Sequence, residues 1–151
     1  MRWLCDEMLV RLARLLRAAG HDTALASGGA GDAALLRQMR EEDRILVTRD
    51  RDLAASAGGQ GVWLADDDLD AQAAELSAAR AVDWRLAPFT RCLMDNTPLR
   101  PATADEIAAM PPTAAAGPGP FNACPACRRL FWPGSHVKRL AARLDRLAGA
   151  P

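Results

Sequence analysis

Four short apolar runs alternate with amphipathic stretches through the first 84 residues, and this alternation limits the possible folds more than any other feature. The runs are Arg2 to Cys5, His21 to Ala26, Arg44 to Thr48 and Val62 to Leu64. Between the first two, Met8, Leu9, Leu12, Leu15, Leu16 and Ala19 recur at helical spacing, with Arg11, Arg14 and Arg17 among them. That spacing predicts a helix over residues 7–19, ended by Gly20. Asp32 starts a second helix to about Glu42, with Leu35, Leu36 and Met39 on one face. Residues 49–57 read as a short helical turn stopped by Gly58-Gly59, and Leu69 to Ala81 as a further helix. Strands and helices alternating at these lengths imply an α/β fold with a parallel sheet.

The alternation stops after residue 84, where Pro88, Pro98, Pro101, Pro111, Pro112, Pro118 and Pro120 cut the chain into short pieces. A boundary near residue 86 divides the chain into segments 1–86 and 87–151. Ala114 to Pro120 reads as a linker or loop tip. The second segment carries Cys92, Cys124 and Cys127, then a basic helix from Ser135 to Ala148.

Ligands of open parallel sheets gather at the carboxyl ends of the strands. Asp6 follows the first run, Asp50 follows the third, and Asp32 opens the helix after the second. Carboxylates brought together at one edge repel unless a proton or a hard cation such as Mg²⁺ or Mn²⁺ lies between them. The pattern points to metal-assisted hydrolysis, with phosphodiesters as the usual substrate. The plainer alternative makes each aspartate the cap of the helix it precedes. Asp66, Asp67 and Asp68 follow the fourth run and offer a fourth ligand, or else a solvated loop with Asp68 as a cap. Arg49 and Arg51 are placed to hold a substrate phosphate, or to pair with Asp52 or with Glu41, Glu42 and Asp43. Gly28 to Gly31 lacks the Gly-Lys-Ser/Thr of a phosphate loop and reads as a flap near Asp32.

Formal net charge is zero, yet residues 50–83 hold eight acids against Arg51 and Arg80, and residues 121–151 hold six bases against Asp145. An acidic patch with a basic tail fits a metal centre beside an anion-holding surface. No apolar run approaches the ~18 residues of a membrane span, and arginines interrupt any signal-peptide pattern, so a cytoplasmic protein is expected. In a reducing compartment Cys124-Pro125-Ala126-Cys127 is a metal knuckle rather than a disulfide element. Its partner is Cys92 with Asp95, and zinc accepts a carboxylate oxygen. The alternatives are a metal-free ribbon held by Phe121, Phe131 and Trp132, or a redox pair.

These residues together resemble the Mut-seven C-terminal RNase domain family, a PIN-like nuclease domain followed by a zinc ribbon. The resemblance rests on Asp6-Glu7-Met8-Leu9 with Arg11 to Gly20, on Arg44 to Asp50, on Arg91-Cys92 with Asn96 and Leu99, on Cys124 to Cys127, and on Phe131-Trp132-Pro133-Gly134-Ser135-His136. It implies RNA cleavage, with acidic positions at Asp6, Asp32 and Asp50 binding Mg²⁺ or Mn²⁺. Its four zinc cysteines fall on Cys92, Asp95, Cys124 and Cys127, where the aspartate departs from the family pattern. The reading is therefore a metal-dependent endoribonuclease, its RNA gripped by Arg49, Arg51, Arg128, Arg129, Lys138, Arg139 and Arg143, with Trp132 or Phe131 as a base-stacking or ribbon-packing residue. The rival is a non-catalytic RNA-binding or protein-interaction module of the same fold. A toxin with an antitoxin partner is a third reading, and nothing in the sequence points to such a partner.

Overall fold

The structure is a computed structural model, and it describes residues 1–149; residues 150 and 151, the end of the second expected segment, lie outside the described residues. Strands β1 (Trp3–Cys5), β2 (Thr23–Leu25), β3 (Ile45–Thr48) and β4 (Gly61–Trp63) form a parallel sheet in the order β2-β1-β3-β4. Parallel strands covered on both faces read as continuous apolar runs, which is why they are visible in the sequence. Side chains alternate between the faces. Trp3, Cys5 and Val47 pack with α1 (Val10–Ala18) and α4 (Leu69–Ala79), while Leu4 and Leu46 pack with α2 (Asp32–Glu41) and α3 (Arg51–Ala57).

The first helix begins with a 3-10 turn at Glu7–Leu9 before α1 proper. It closes in a Schellman arrangement: the Gly20 N–H donates to the Arg17 carbonyl and the His21 N–H to the Leu16 carbonyl, each at 3.0 Å. Gly20 takes φ +97°, and a Cβ there would lie 2.3 Å from the Ala87 carbonyl oxygen. Gly20→Ala combines left-handed strain with a backbone clash, and should cost about 2–4 kcal/mol. An unchanged denaturant midpoint in that variant would contradict this close approach of residue 87.

The second segment forms a small antiparallel sheet, order β5-β6-β7, from β5 (Arg100–Pro101), β6 (Asn122–Ala123) and β7 (Leu130–Phe131). Two short helices lie between β5 and β6, α5 (Ala104–Ala108) and α6 (Pro112–Ala115); the latter turns the start of the expected Ala114–Pro120 linker into helix. Helix α7 (Ser135–Gly149) ends the described chain. Leu93 and Leu144 join the same core as Trp3 and α1, so the two sheets share one apolar interior. Arg17 is almost fully buried there, its guanidinium donating to the carbonyls of Thr23, Leu93 and Met94 at 2.9–3.0 Å.

Candidate active site and metal centre

Strand order fixes where a ligand would lie. The chain runs from β1 outward to β2, then crosses back over β1 to β3, so the topological switch falls between β1 and β3, the crevice position of open α/β sheets. Asp6 directly follows β1, and Asp50 lies just past β3. Thr48, fully buried, joins them: its hydroxyl donates to Asp6 Oδ2 at 2.8 Å and accepts from the Asp50 backbone N–H at 3.0 Å. Asp32 lies on the same edge, past β2, in the exposed first turn of α2.

Two of the three aspartates cap the helical turns they precede. Asp6 Oδ1 accepts from the Glu7 N–H at 2.7 Å, and Asp50 Oδ1 accepts from Asp52 and Leu53 at 2.9 and 3.0 Å. Both are caps, and each has a second oxygen directed elsewhere or uncommitted. Asp32 is not a cap; Gly31 holds that position. Asp68 caps α4 with Oδ2, and Asp66 Oδ1 holds the Asp68 N–H.

Charge is distributed unevenly between the sheet's two ends. At the amino end Asp22 is met by Arg44 at 2.8 Å and Arg2 at 3.1 Å, and Arg44 also reaches Glu42. Burial would raise the Asp22 carboxyl, but hydrogen bonds from Arg44, Asn96 and Arg2 outweigh it and hold it well below the usual range. At the carboxyl end Asp6, Asp32 and Asp50 have no ion-pair partner among the described residues.

A second cluster lies in the ribbon. The metal-ligating atoms of Cys92, Asp95, Cys124 and Cys127 all fall within 4.8 Å of one another. A tetrahedral zinc with its usual bond lengths sets two sulfurs about 3.8 Å apart, and a sulfur and a carboxylate oxygen about 3.6 Å apart. Cys92 Sγ is 3.7 Å from Cys127 Sγ, and Cys124 Sγ is 3.4 and 3.5 Å from the two Asp95 oxygens. The donors and spacing suit zinc. Burial pushes the Cys92 thiol up to about 12. Burial also acts to raise the Asp95 carboxyl, but hydrogen bonds from Thr97 and the flanking thiols prevail and keep it ionised. Among the described residues this is the one group of three or more such side chains so closely gathered; Asp6, Asp32 and Asp50 do not converge to that degree.

A family model for the Mut7-C RNAse domain matches residues 1–144 of the chain. The chain belongs to that family. Comparison with curated proteins and with solved structures gave no match. Membership makes an RNase-like role the general expectation for this Mut7-C domain, and RNA the general class of substrate. No described helix is long and apolar enough to cross a membrane.

The basic residues of the Mut7-C chain fall into two sets. Arg128, Arg129, Lys138 and Arg139 are exposed, whereas Arg143 is engaged with Asp70 at 3.0 Å. Arg49 and Arg51 make no ion pair among the described residues, so the alternative of charge pairing with neighbouring acids does not form there. Arg51 instead lies over the ring of Trp63, 4.4 Å from its centroid. Phe131 and Trp132 line a hollow of about 410 Å³ with Phe89, Leu93 and Val137, and Phe131 also packs on the main core. Thr48 and Trp63 are the residues a sequence reading misses. One ends an apolar run and the other sits inside one, and only strand order reveals what they adjoin.

Proposed function

We propose that this Mut7-C domain is a metal-dependent endoribonuclease whose carboxyl-edge aspartates hold Mg²⁺ or Mn²⁺. The observation that carries this reading is the Thr48-linked pair Asp6 and Asp50 at the switch point, without an ion-pair partner among the described residues. Mg²⁺ keeps several waters and takes only one or two carboxylates plus substrate phosphate. The spread of the three acids fits that mode better than an all-protein cage. Asp6 and Asp50 supply oxygen ligands, Asp32 contributes from the neighbouring loop, and Thr48 fixes the Asp6 carboxylate. Such an ion supplies a nucleophilic water and neutralises charge on the phosphate. Arg51 and Arg49 flank the cleavage position, and Arg128, Arg129, Lys138 and Arg139 hold the RNA backbone further along. The ribbon carries a structural zinc on Cys92, Asp95, Cys124 and Cys127. Thiolate ligands of this kind fit a reducing, cytoplasmic setting.

The limited convergence of the acids favours the rival reading, a non-catalytic RNA-binding module. The two are separated by titrating Mn²⁺ and measuring its binding and RNA cleavage in one preparation, for wild type and Asp50→Asn. Metal-dependent cleavage lost in the variant supports the nuclease; RNA binding without cleavage at any metal concentration supports the rival. Thr48→Val keeps the shape and removes the hydroxyl that orients Asp6, so it should lower Mn²⁺ affinity or cleavage about 10- to 100-fold, as loss of an outer-shell partner does. Full activity in Thr48→Val would leave that hydroxyl without a role at the site.

A further inference from the structure

Trp63 is 41% exposed, on the edge strand of the sheet, in a chain whose buried tryptophans Trp3 and Trp84 show how readily the fold covers such rings. Its position is fixed rather than loose. The indole N–H donates to the Arg49 carbonyl at 3.1 Å. That carbonyl belongs to the Arg49–Asp50 peptide, whose N–H is held by Thr48, whose hydroxyl in turn holds Asp6. In register, Trp63 is the direct neighbour of Thr48 across β3 and β4. The aromatic ring is therefore linked through the Arg49–Asp50 peptide and the Thr48 hydroxyl to the Asp6 carboxylate, and through the same peptide to the backbone that carries Asp50.

The Arg51 guanidinium covers part of the ring at 4.4 Å, and Arg51 immediately follows Asp50. An exposed ring with a cation stacked on it suits a nucleobase: bases stack on aromatic faces and on arginine planes, whatever their sequence. A protein surface or a membrane would call for a broader apolar patch. Here the flanking groups are Arg49, Asp50 and Arg51, which match a charged backbone and a metal-bound phosphate.

We propose that Trp63, with Arg51 stacked upon it, is a platform that receives one unpaired base of the RNA beside the aspartates, so that the site selects single-stranded over duplex RNA. This rests on the nuclease reading and names its substrate class. Trp63 is a positioning residue, since it sets where the neighbouring phosphate lies.

The test uses the full chain and a short labelled single-stranded RNA, with affinity measured by anisotropy in the Asp6→Asn background to prevent cutting, and KM and kcat measured in the otherwise wild-type chain. Trp63→Ala should weaken binding about 5- to 100-fold, the range of one base–aromatic stack, with the loss appearing mainly in KM. Trp63→Phe should recover most of it, and Trp63→Leu, which keeps apolar bulk without a π face, should not. An abasic site at one position should weaken binding to the wild-type platform and have no further effect in Trp63→Ala. Circular dichroism checks folding; if Trp63→Ala fails to fold, the Leu and Phe pair decides. Cleavage by wild type with equal affinity in the Trp63 variants, or equal affinity for duplex and single strand, would overturn the platform alone. A wild-type chain that neither binds nor cleaves RNA would overturn the nuclease reading and the platform with it.

Discussion

Asp6→Asn and Asp50→Asn should each lower metal-dependent RNA cleavage by more than about a hundredfold while the protein stays folded. The loss should exceed that of an outer-shell partner, because a ligand itself is removed. Asparagine is the informative substitution because both aspartates are also caps. Its amide oxygen can still accept from Glu7 at position 6, and from Asp52 and Leu53 at position 50. Asparagine ranks with aspartate as an N-cap, so the local helix starts survive. Removing one charge also eases the repulsion along an edge that has no ion-pair partner among the described residues, and metal-free stability should hold or rise. Calorimetry for Mn²⁺ binding, cleavage assays and thermal unfolding on the same samples test all three points. If both variants unfold and cleavage per folded molecule is unchanged, the residues act only as caps.

Removal of metal from the knuckle is the second large effect expected. Three thiolates and a carboxylate place a charge of about −4 around a +2 ion. The buried Arg17 guanidinium, bonded to the carbonyls of Leu93 and Met94 in the turn between Cys92 and Asp95, would offset part of that excess. Chelation should lower the thermal midpoint and loosen residues 88–134 first, since binding energy at such a site is folding energy. Asp95→Cys should restore a softer four-sulfur site and resist the chelator better than wild type. Metal content after purification without added zinc, followed by chelator competition, measures this. Sub-stoichiometric zinc together with an unmoved thermal midpoint would mean that the ribbon stands without metal on Leu93, Phe131 and their neighbours. The aspartate site would be unaffected by that outcome, and the two arms are separated by the asparagine variants.

The parallel strands were legible because burial on both faces leaves uninterrupted apolar runs, as in Trp3-Leu4-Cys5. The helix of residues 7–19 was legible from its spacing, but not its 3-10 opening, which depends on how Asp6 caps the turn. Helix α5 had a signal that the proline count obscured. Thr103 and Glu106 form a capping box, visible as Thr-x-x-Glu. Arg17 is one of three arginines set among the apolar positions of α1, and nothing local marks it for burial, because its partners Leu93 and Met94 lie far away in sequence. Asp6, Asp32 and Asp50 could be placed at one edge from the strand pattern alone. Thr48 and Trp63 could not be linked to them, since hydrogen bonds across strands follow from strand order, which no local pattern encodes.

The turn that carries Cys92 and Asp95 also carries Asn96, and Asn96 reaches across to β2, an outer strand of the parallel sheet. Its side-chain oxygen takes the Thr23 N–H at 2.9 Å, while Arg17 takes the Thr23 carbonyl. These are the outward-facing backbone groups that an unprotected sheet margin would offer to another chain. Asn96 and Arg17 thus occupy both backbone groups that Thr23 would otherwise offer to another strand. Loosening the knuckle would leave Thr23 open to pairing, so metal-starved protein should self-associate through β2 before its parallel sheet melts.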